Sequence, residues 1–137
     1  MKFKLAEVKV RHQKLCNLGN KKLPVKVSYA ISKNIMKLQE EVETLEKERV
    51  KLAEQYAVKG EDGKPKVINN SYVMEENQEV FAKEYQEFLD TETEIMIYTI
   101  PEELIECMDD ERYDVLTPAE LVALDFMIVH PEAEPKA

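Results

Sequence analysis

The chain contains no tryptophan and only three glycines, six prolines and two cysteines among 137 residues. So few turn formers argue against an all-β sandwich, which needs one at nearly every strand reversal. Two cysteines without a CxxC pair supply no disulfide framework and no closely spaced thiolates for a metal. No run of about 18 uncharged apolar residues occurs, so a membrane-spanning helix is not expected. The opening MKFKLAEVKVRH spaces its charges too closely for the apolar stretch of a secretory signal, and a cytoplasmic location is expected. Sequence patterns that announce chemistry are equally scarce. GxSxG, GxxxxGK[ST] and GxGxxG are missing, and two histidines leave few bases to activate a nucleophile.

What the chain does have is charge on a helix-rich background. Apolar residues make up 44%, enough for the core of one domain. Nineteen basic residues against twenty-eight acidic ones give a net charge of −9, which repels phosphates and disfavours direct nucleic-acid binding. The charge is graded along the chain. Residues 1–26 sum to +7, residues 27–74 to 0 and residues 75–137 to −16. The simplest consequence is intramolecular, with the basic first helix lying against the acidic C-terminal part.

Apolar periodicity supplies the elements. Leu5, Val8, His12 and Leu15 share one face of a helix from Leu5 to Leu18, closed around Gly19. A long helix from Pro24 to Lys59 follows, with a 4-3-4-3 seam at Ile31, Ile35, Leu38, Val42, Leu45, Leu52 and Tyr56. Gly60–Pro65 reverses the chain, and Lys66–Met74 reads as a loop or weak hairpin around Asn69-Asn70. A return helix from Glu75 to Asp90 presents Phe81, Tyr85 and Phe88 but, at about 24 Å, covers only the distal half of the long helix, so the helix from Leu5 to Leu18 or the C-terminal region must cover Ile31, Ile35 and Leu38; together these elements should bury Ile35, Leu38, Val42, Leu45 and Leu52. Thr93–Ile100 is the best strand, with Met1–Lys4 as its mate. A short helix from Glu102 to Met108 precedes a capping box at Thr117–Glu120, which opens a helix from Pro118 to Ile128 with Leu121, Leu124 and Ile128 on one face. Residues 131–137 read as a frayed polar tail. The expectation is a mainly α single domain over residues 1–137. It consists of a long helix with an antiparallel return helix, short terminal helices and at most a minimal two-stranded β element.

Candidate chemistry is sparse. His12 and Cys16 lie one helical turn apart, and Cys107 and His130 would complete a tetrahedral zinc set, but partial burial on the apolar stripe explains the first pair. No metal and no cofactor are therefore expected. Arg49 breaks the seam; its stem should cover apolar surface while its guanidinium reaches a return-helix acid such as Glu79 or Glu84. The acids Glu102, Glu103, Glu106, Asp109, Asp110 and Glu111 do not follow a calcium-loop pattern. With Arg49 they are the candidate partner-binding residues, because nineteen acids in the last segment exceed what the +7 N-terminal segment needs for balance.

The segments MKFKLAEV, LPVKVSYAISKNIMKLQEEVETLEKERVKLAEQY, GEDGKP, FAKEYQEFLDTETEIMIYTI and LTPAELVALDFMI, taken in this order, resemble a family of small uncharacterised proteins encoded by phages and prophages of Gram-positive bacteria. That resemblance implies a phage origin and expression in the cytoplasm of a bacterial host, with association to the virion as a variant. It carries over no functional residues. The expected function is a non-enzymatic phage or prophage accessory or assembly protein that binds a phage or host protein, away from membranes. Homo-oligomerisation is compatible with the seam. The alternative is an acidic inhibitor of a host defence protein that mimics nucleic-acid phosphates. A hidden enzymatic or metal site ranks third.

Overall fold

In the computed structural model, which describes residues 1–106 and 110–130, the chain starts in strand β1 (Lys2–Lys4) and turns directly into helix α1 (Leu5–Cys16). Glu7 starts that helix by accepting from the Lys4 N–H at 3.3 Å, which satisfies one of the donors that every helix start leaves open. Leu5, Val8 and Leu15 are buried. Helix α2 (Val25–Tyr56) begins after Pro24, whose ring fits a helix entry and whose carbonyl accepts from Val27 and Ser28. Its 32 residues give a rod about 48 Å long. No helix among the described residues is long and apolar enough to cross a membrane.

The core gathers around the first half of α2. Val27, Ala30, Ile31 and Leu38 meet Val8 and Leu15 of α1, Phe3 of β1, and Ile95, Ile100, Leu124 and Met127 from the later chain. Elements approaching from two sides widen the buried arc, so Ala30 and Asn34 are buried while Ile35 is only half-buried. The seam expected through Ile35 is thus displaced toward Asn34. In the second half, Leu45 and Ala53 are buried, but Val42 and Leu52 are half-buried.

Beyond α2, the chain makes a hairpin of β2 (Val67–Ile68) and β3 (Ser71–Tyr72), with Asn69 and Asn70 both at positive φ. Asparagine tolerates that region, which a tight two-residue hairpin turn requires. A 3-10 turn at Glu75–Asn77 leads into α3 (Gln78–Leu89). Asn77 Nδ2 donates to Tyr56 O at 3.1 Å, and the Tyr56 hydroxyl bonds Glu84. The aromatic row of α3 does not seal α2 as expected. Phe81, Tyr85 and Phe88 are all half-buried, α3 has no buried residue, and Phe81 and Tyr85 stack on each other with ring centres 5.8 Å apart.

Strand β4 (Glu92–Glu94) pairs antiparallel with β1, with Phe3 opposite Thr93. The strand expected over Thr93–Ile100 therefore meets its mate at its first residues only. Residues 95–99 lie outside any ladder, and β5 (Ile100–Pro101) takes a different neighbour, running parallel to β6 (Ile128–Val129). The described residues hold three two-stranded pairs instead of one.

Helix α4 (Glu103–Glu106) and α5 (Pro118–Leu124) complete the chain. At α5 the capping box forms: Glu120 N–H donates to Thr117 Oγ1 at 3.2 Å and Thr117 N–H to Glu120 Oε1 at 2.9 Å. The helix stops at Leu124 and passes through a 3-10 turn (Asp125–Met127), because Ile128 and Val129 are used in β6. The apolar face expected at Leu121, Leu124 and Ile128 is accordingly replaced. Ala123, Leu124 and Met127 are buried, and Leu121 is exposed. Basic and acidic ends meet at single contacts: Lys21 Nζ lies 2.6 Å from Glu120, Lys22 N–H donates to Asp114 at 2.7 Å, and the Met1 ammonium sits 2.7 Å from Glu94.

Candidate interaction surface

Asn34 is the buried polar side chain around which this surface is built. Its Nδ2 donates to Tyr98 O at 2.9 Å, and its Oδ1 accepts from Tyr98 N–H at 2.7 Å. A single amide thereby engages both backbone groups of one residue, as a neighbouring strand would. Lys37 Nζ adds a bond to Met96 O at 2.6 Å. Residues 95–99 are held against α2 in this way, and their side chains alternate. Ile95 is 6% exposed, whereas Met96 is 82% and Tyr98 42% exposed.

The outward side chains join two from α2. Tyr29 (51% exposed) meets the Tyr98 ring edge-on at 5.4 Å, and Met36 (63% exposed) lies two turns along the same helix. Lys33 places its ammonium 5.5 Å from the centre of the Tyr29 ring. Two tyrosines and two methionines thus stand exposed, with the half-buried Lys33 and Lys37 beside them. Tyrosine gives large contact area with little rotamer entropy to lose, and methionine adapts its shape to what it meets. Exposed apolar groups rimmed by polar ones commonly mark contact sites.

Two of the carboxylates singled out from the sequence have local partners. Glu102 accepts from His130 Nδ1 at 3.0 Å. Asp110 is held by its near neighbour Arg112 at 3.1 and 3.2 Å, and the hydrogen bond from that guanidinium lowers its pKa. Glu103 and Glu106 on α4 and Glu111 are exposed. Asp109 and Cys107 lie outside the described residues. Arg49 does not reach a return-helix acid. Its Nε bonds Glu46 Oε2 at 3.0 Å on its own helix, and Lys9 approaches the other oxygen of that carboxylate at 3.5 Å. A carboxylate one turn away is closer than any on α3, and the hydrogen bond from Arg49 lowers the pKa of Glu46.

The metal-type residues also have other partners. His12 Nε2 and Cys16 Sγ are 3.6 Å apart, and among the described residues no group of three or more histidine, cysteine or carboxylate side chains is placed to hold an ion. His130 turns both ring nitrogens to carboxylates, Nδ1 to Glu102 and Nε2 to Asp125 at 2.7 Å. Both contacts are hydrogen bonds only when the ring carries two protons, and they raise its pKa above the usual 6.5, the Glu102 bond being the larger cause. A raised folded-state pKa stabilises the fold fully below the unfolded value and ceases to do so as pH climbs through the folded value. His130→Ala should therefore melt below the native protein at about pH 5.5, with the gap closing toward about pH 9. Thermal midpoints measured across that range check this, and a gap independent of pH would refute it.

A second concave region lies between α1 and α5, an open groove of about 710 Å³ with Val10, Leu121 and Val122 on its walls. Arg11 also lines it, but its guanidinium is already engaged, 4.7 Å over the Phe126 ring and 5.6 Å over that of Phe3, with Glu7 3.8 Å away. The Asn34-centred surface offers the larger uncommitted apolar groups. Comparison with protein-family models, with curated proteins and with solved structures finds no match for this chain.

Proposed function

We propose that the chain is a non-enzymatic accessory or assembly factor of a phage or prophage, acting in the host cytoplasm by binding another phage or host protein. The phage part rests on the segment-by-segment resemblance. The interaction part is carried by one observation: Tyr29 and Met36 of α2 stand exposed together with Met96 and Tyr98, and a buried Asn34 pins the backbone at Tyr98. Preorganised aromatic and methionine groups lose little freedom on binding, which is how a small set of residues comes to dominate an interface. In this reading α2 and α3 act as an antiparallel helical hairpin that stiffens the far end. Support comes from Asn77 bonding Tyr56 at one end of α3 and from Phe88, near its other end, lining one cleft with Leu52 of α2.

The test is affinity capture from infected or induced host cells, followed by titration of the purified partner. Met96→Ala together with Tyr98→Ala should weaken binding about 100-fold, equivalent to about 2.7 kcal/mol. The thermal midpoint should shift little, because both side chains point away from the core. Unchanged affinity in that variant sinks the assignment of the surface. Competition by DNA for the partner would favour the phosphate-mimic alternative.

A further inference from the structure

The groove between α1 and α5 is apolar along its length and carries charge of different kinds toward its two ends. Lys21 Nζ lies 2.6 Å from Glu120 Oε1, which sets the start of α5 beside the end of α1, while Arg11 stacks on Phe126, just past the end of α5. The two helices therefore run in opposite directions along the groove. Its α1 wall is the row Ala6, Val10 and Lys14, spaced four apart on one face, and the facing wall carries Leu121 and Val122. The charged residues on these walls are Glu7, Arg11, Lys14 and Asp125. The two acids are already matched: Glu7 accepts from the Lys4 N–H and faces Arg11, and Asp125 accepts from His130 Nε2 at 2.7 Å. The two bases are not. Lys14 is exposed and has no ion-pair partner among the described residues. Arg11 uses the face of its guanidinium on Phe3 and Phe126, but its Nε is buried without an acceptor, and Glu7 stands 3.8 Å away, beyond hydrogen-bond length. Arg11 and Lys14 lie three apart on α1 and so flank one spot, where their like charges repel unless an anion lies between them.

We propose that this groove binds a small amphiphilic carboxylate, with the carboxylate held between Arg11 and Lys14 and an unbranched acyl chain lying along Val10, Leu121 and Val122. Each part of that ligand answers a part of the wall. The volume of about 710 Å³ is that of a small-molecule site, in which apolar walls supply contact area and a few placed polar groups fix orientation. The row from Ala6 to Lys14 spans about 12 Å, which sizes the chain at about eight to ten carbons. The anionic end follows from the unmatched bases, and the absence of a second charge on the ligand follows from Glu7 and Asp125 having partners. The wider field agrees: α1 belongs to the segment 1–26 that carries +7 on a chain of net charge −9, so an anion is drawn to this side of the molecule. The groove shares no residue with the Asn34-centred surface, and the proposal does not depend on a protein binding there.

The full chain is titrated with octanoate at about pH 6, where a doubly protonated His130 keeps Asp125 matched, and followed by proton–nitrogen NMR. Octanol, octylamine and butanoate serve as controls for the charge, its sign and the chain. The expected result is saturable shifts of the Val10, Lys14, Leu121 and Val122 amides with half-saturation at about 1 mM or below, and at least about tenfold weaker binding of all three controls. Lys14→Glu, a change at an exposed position, should weaken octanoate at least about tenfold, whereas Lys14→Arg should bind within about threefold of the native chain. The comparison of the four ligands uses the native chain, so a folding defect in a variant leaves it decisive. No saturation by about 10 mM octanoate would overturn the site. Octanol or octylamine binding as tightly as octanoate would overturn it too, as would shifts that fall on Tyr29, Met36, Met96 and Tyr98 in place of the groove, or a folded Lys14→Glu variant with native affinity.

Discussion

Replacing Asn34 by alanine is expected to lower the free energy of unfolding by about 2 to 4 kcal/mol, because two backbone groups of Tyr98 lose the amide that pairs them in a half-buried setting. An ordinary surface asparagine costs far less to remove. Asn34→Leu, similar in volume, should not rescue stability, since the orphaned groups belong to Tyr98 and remain orphaned. Asn34→Asp keeps the acceptor for Tyr98 N–H but puts a carboxylate against Tyr98 O, and it should be the worst of the three near neutral pH. Denaturant unfolding monitored by circular dichroism checks the series. A loss below about 0.5 kcal/mol for Asn34→Ala would mean that residues 95–99 are held by something other than this amide.

The second large effect lies in the hydrophobic contacts. Leu38 is completely buried in the cluster that joins α1, β1 and the C-terminal turn to α2, and Leu38→Ala should cost about 2 to 5 kcal/mol through the lost transfer energy and the cavity left behind. Leu45→Ala falls in the same range, since Leu45 is 1% exposed. Phe81→Ala should cost clearly less despite the larger side chain removed, because Phe81 is half-buried and rests mainly on Tyr85. A Phe81→Ala loss equal to that of Leu38→Ala would show that α3 is packed more tightly than its exposure indicates.

Local signals were strong wherever a residue acts on its immediate neighbours. The Thr117–Glu120 capping box and the helix starting at Leu5 are legible because cap and stripe chemistry are written within a few residues, whereas Asn69-Asn70 leaves loop and hairpin both open. The pairing of Met1–Lys4 with the start of Thr93–Ile100 is legible because few other segments carry strand character, although only Thr93 and Glu94 of that stretch pair, joined by Glu92 before it. A distant element decides the outcome at the C-terminal end, where periodicity extends the helix from Pro118 to Ile128 but β5 recruits Ile128 and Val129 from about 28 positions away in sequence. At Arg49 the reverse holds, because Glu46, one turn away on the same helix, takes the guanidinium in place of an acid on α3.

The interaction surface was legible only in part. Alternation along Ile95, Met96, Ile97 and Tyr98 shows that one set must face outward, but not that it lies beside Tyr29 and Met36. Asn34 was the available clue. It sits three and four residues from Ile31 and Leu38, within an otherwise apolar stripe, and a polar residue there needs a partner. The acidic residues drew attention by number, yet Glu102 and Asp110 have partners of their own in His130 and Arg112.

On the proposed reading, partner binding depends on apolar contact at Tyr29, Met36, Met96 and Tyr98 and not on the acidic surface. Isothermal titration of the purified partner, at about 50 mM and about 500 mM salt, tests it with two variants. One is Met96→Ala with Tyr98→Ala, and the other is Glu103→Gln with Glu106→Gln and Glu111→Gln. The expected result is about a 100-fold loss for the first at both salt concentrations and less than about a threefold change for the second. A large, salt-sensitive loss in the glutamine variant, with the alanine variant binding like the native protein, would contradict it.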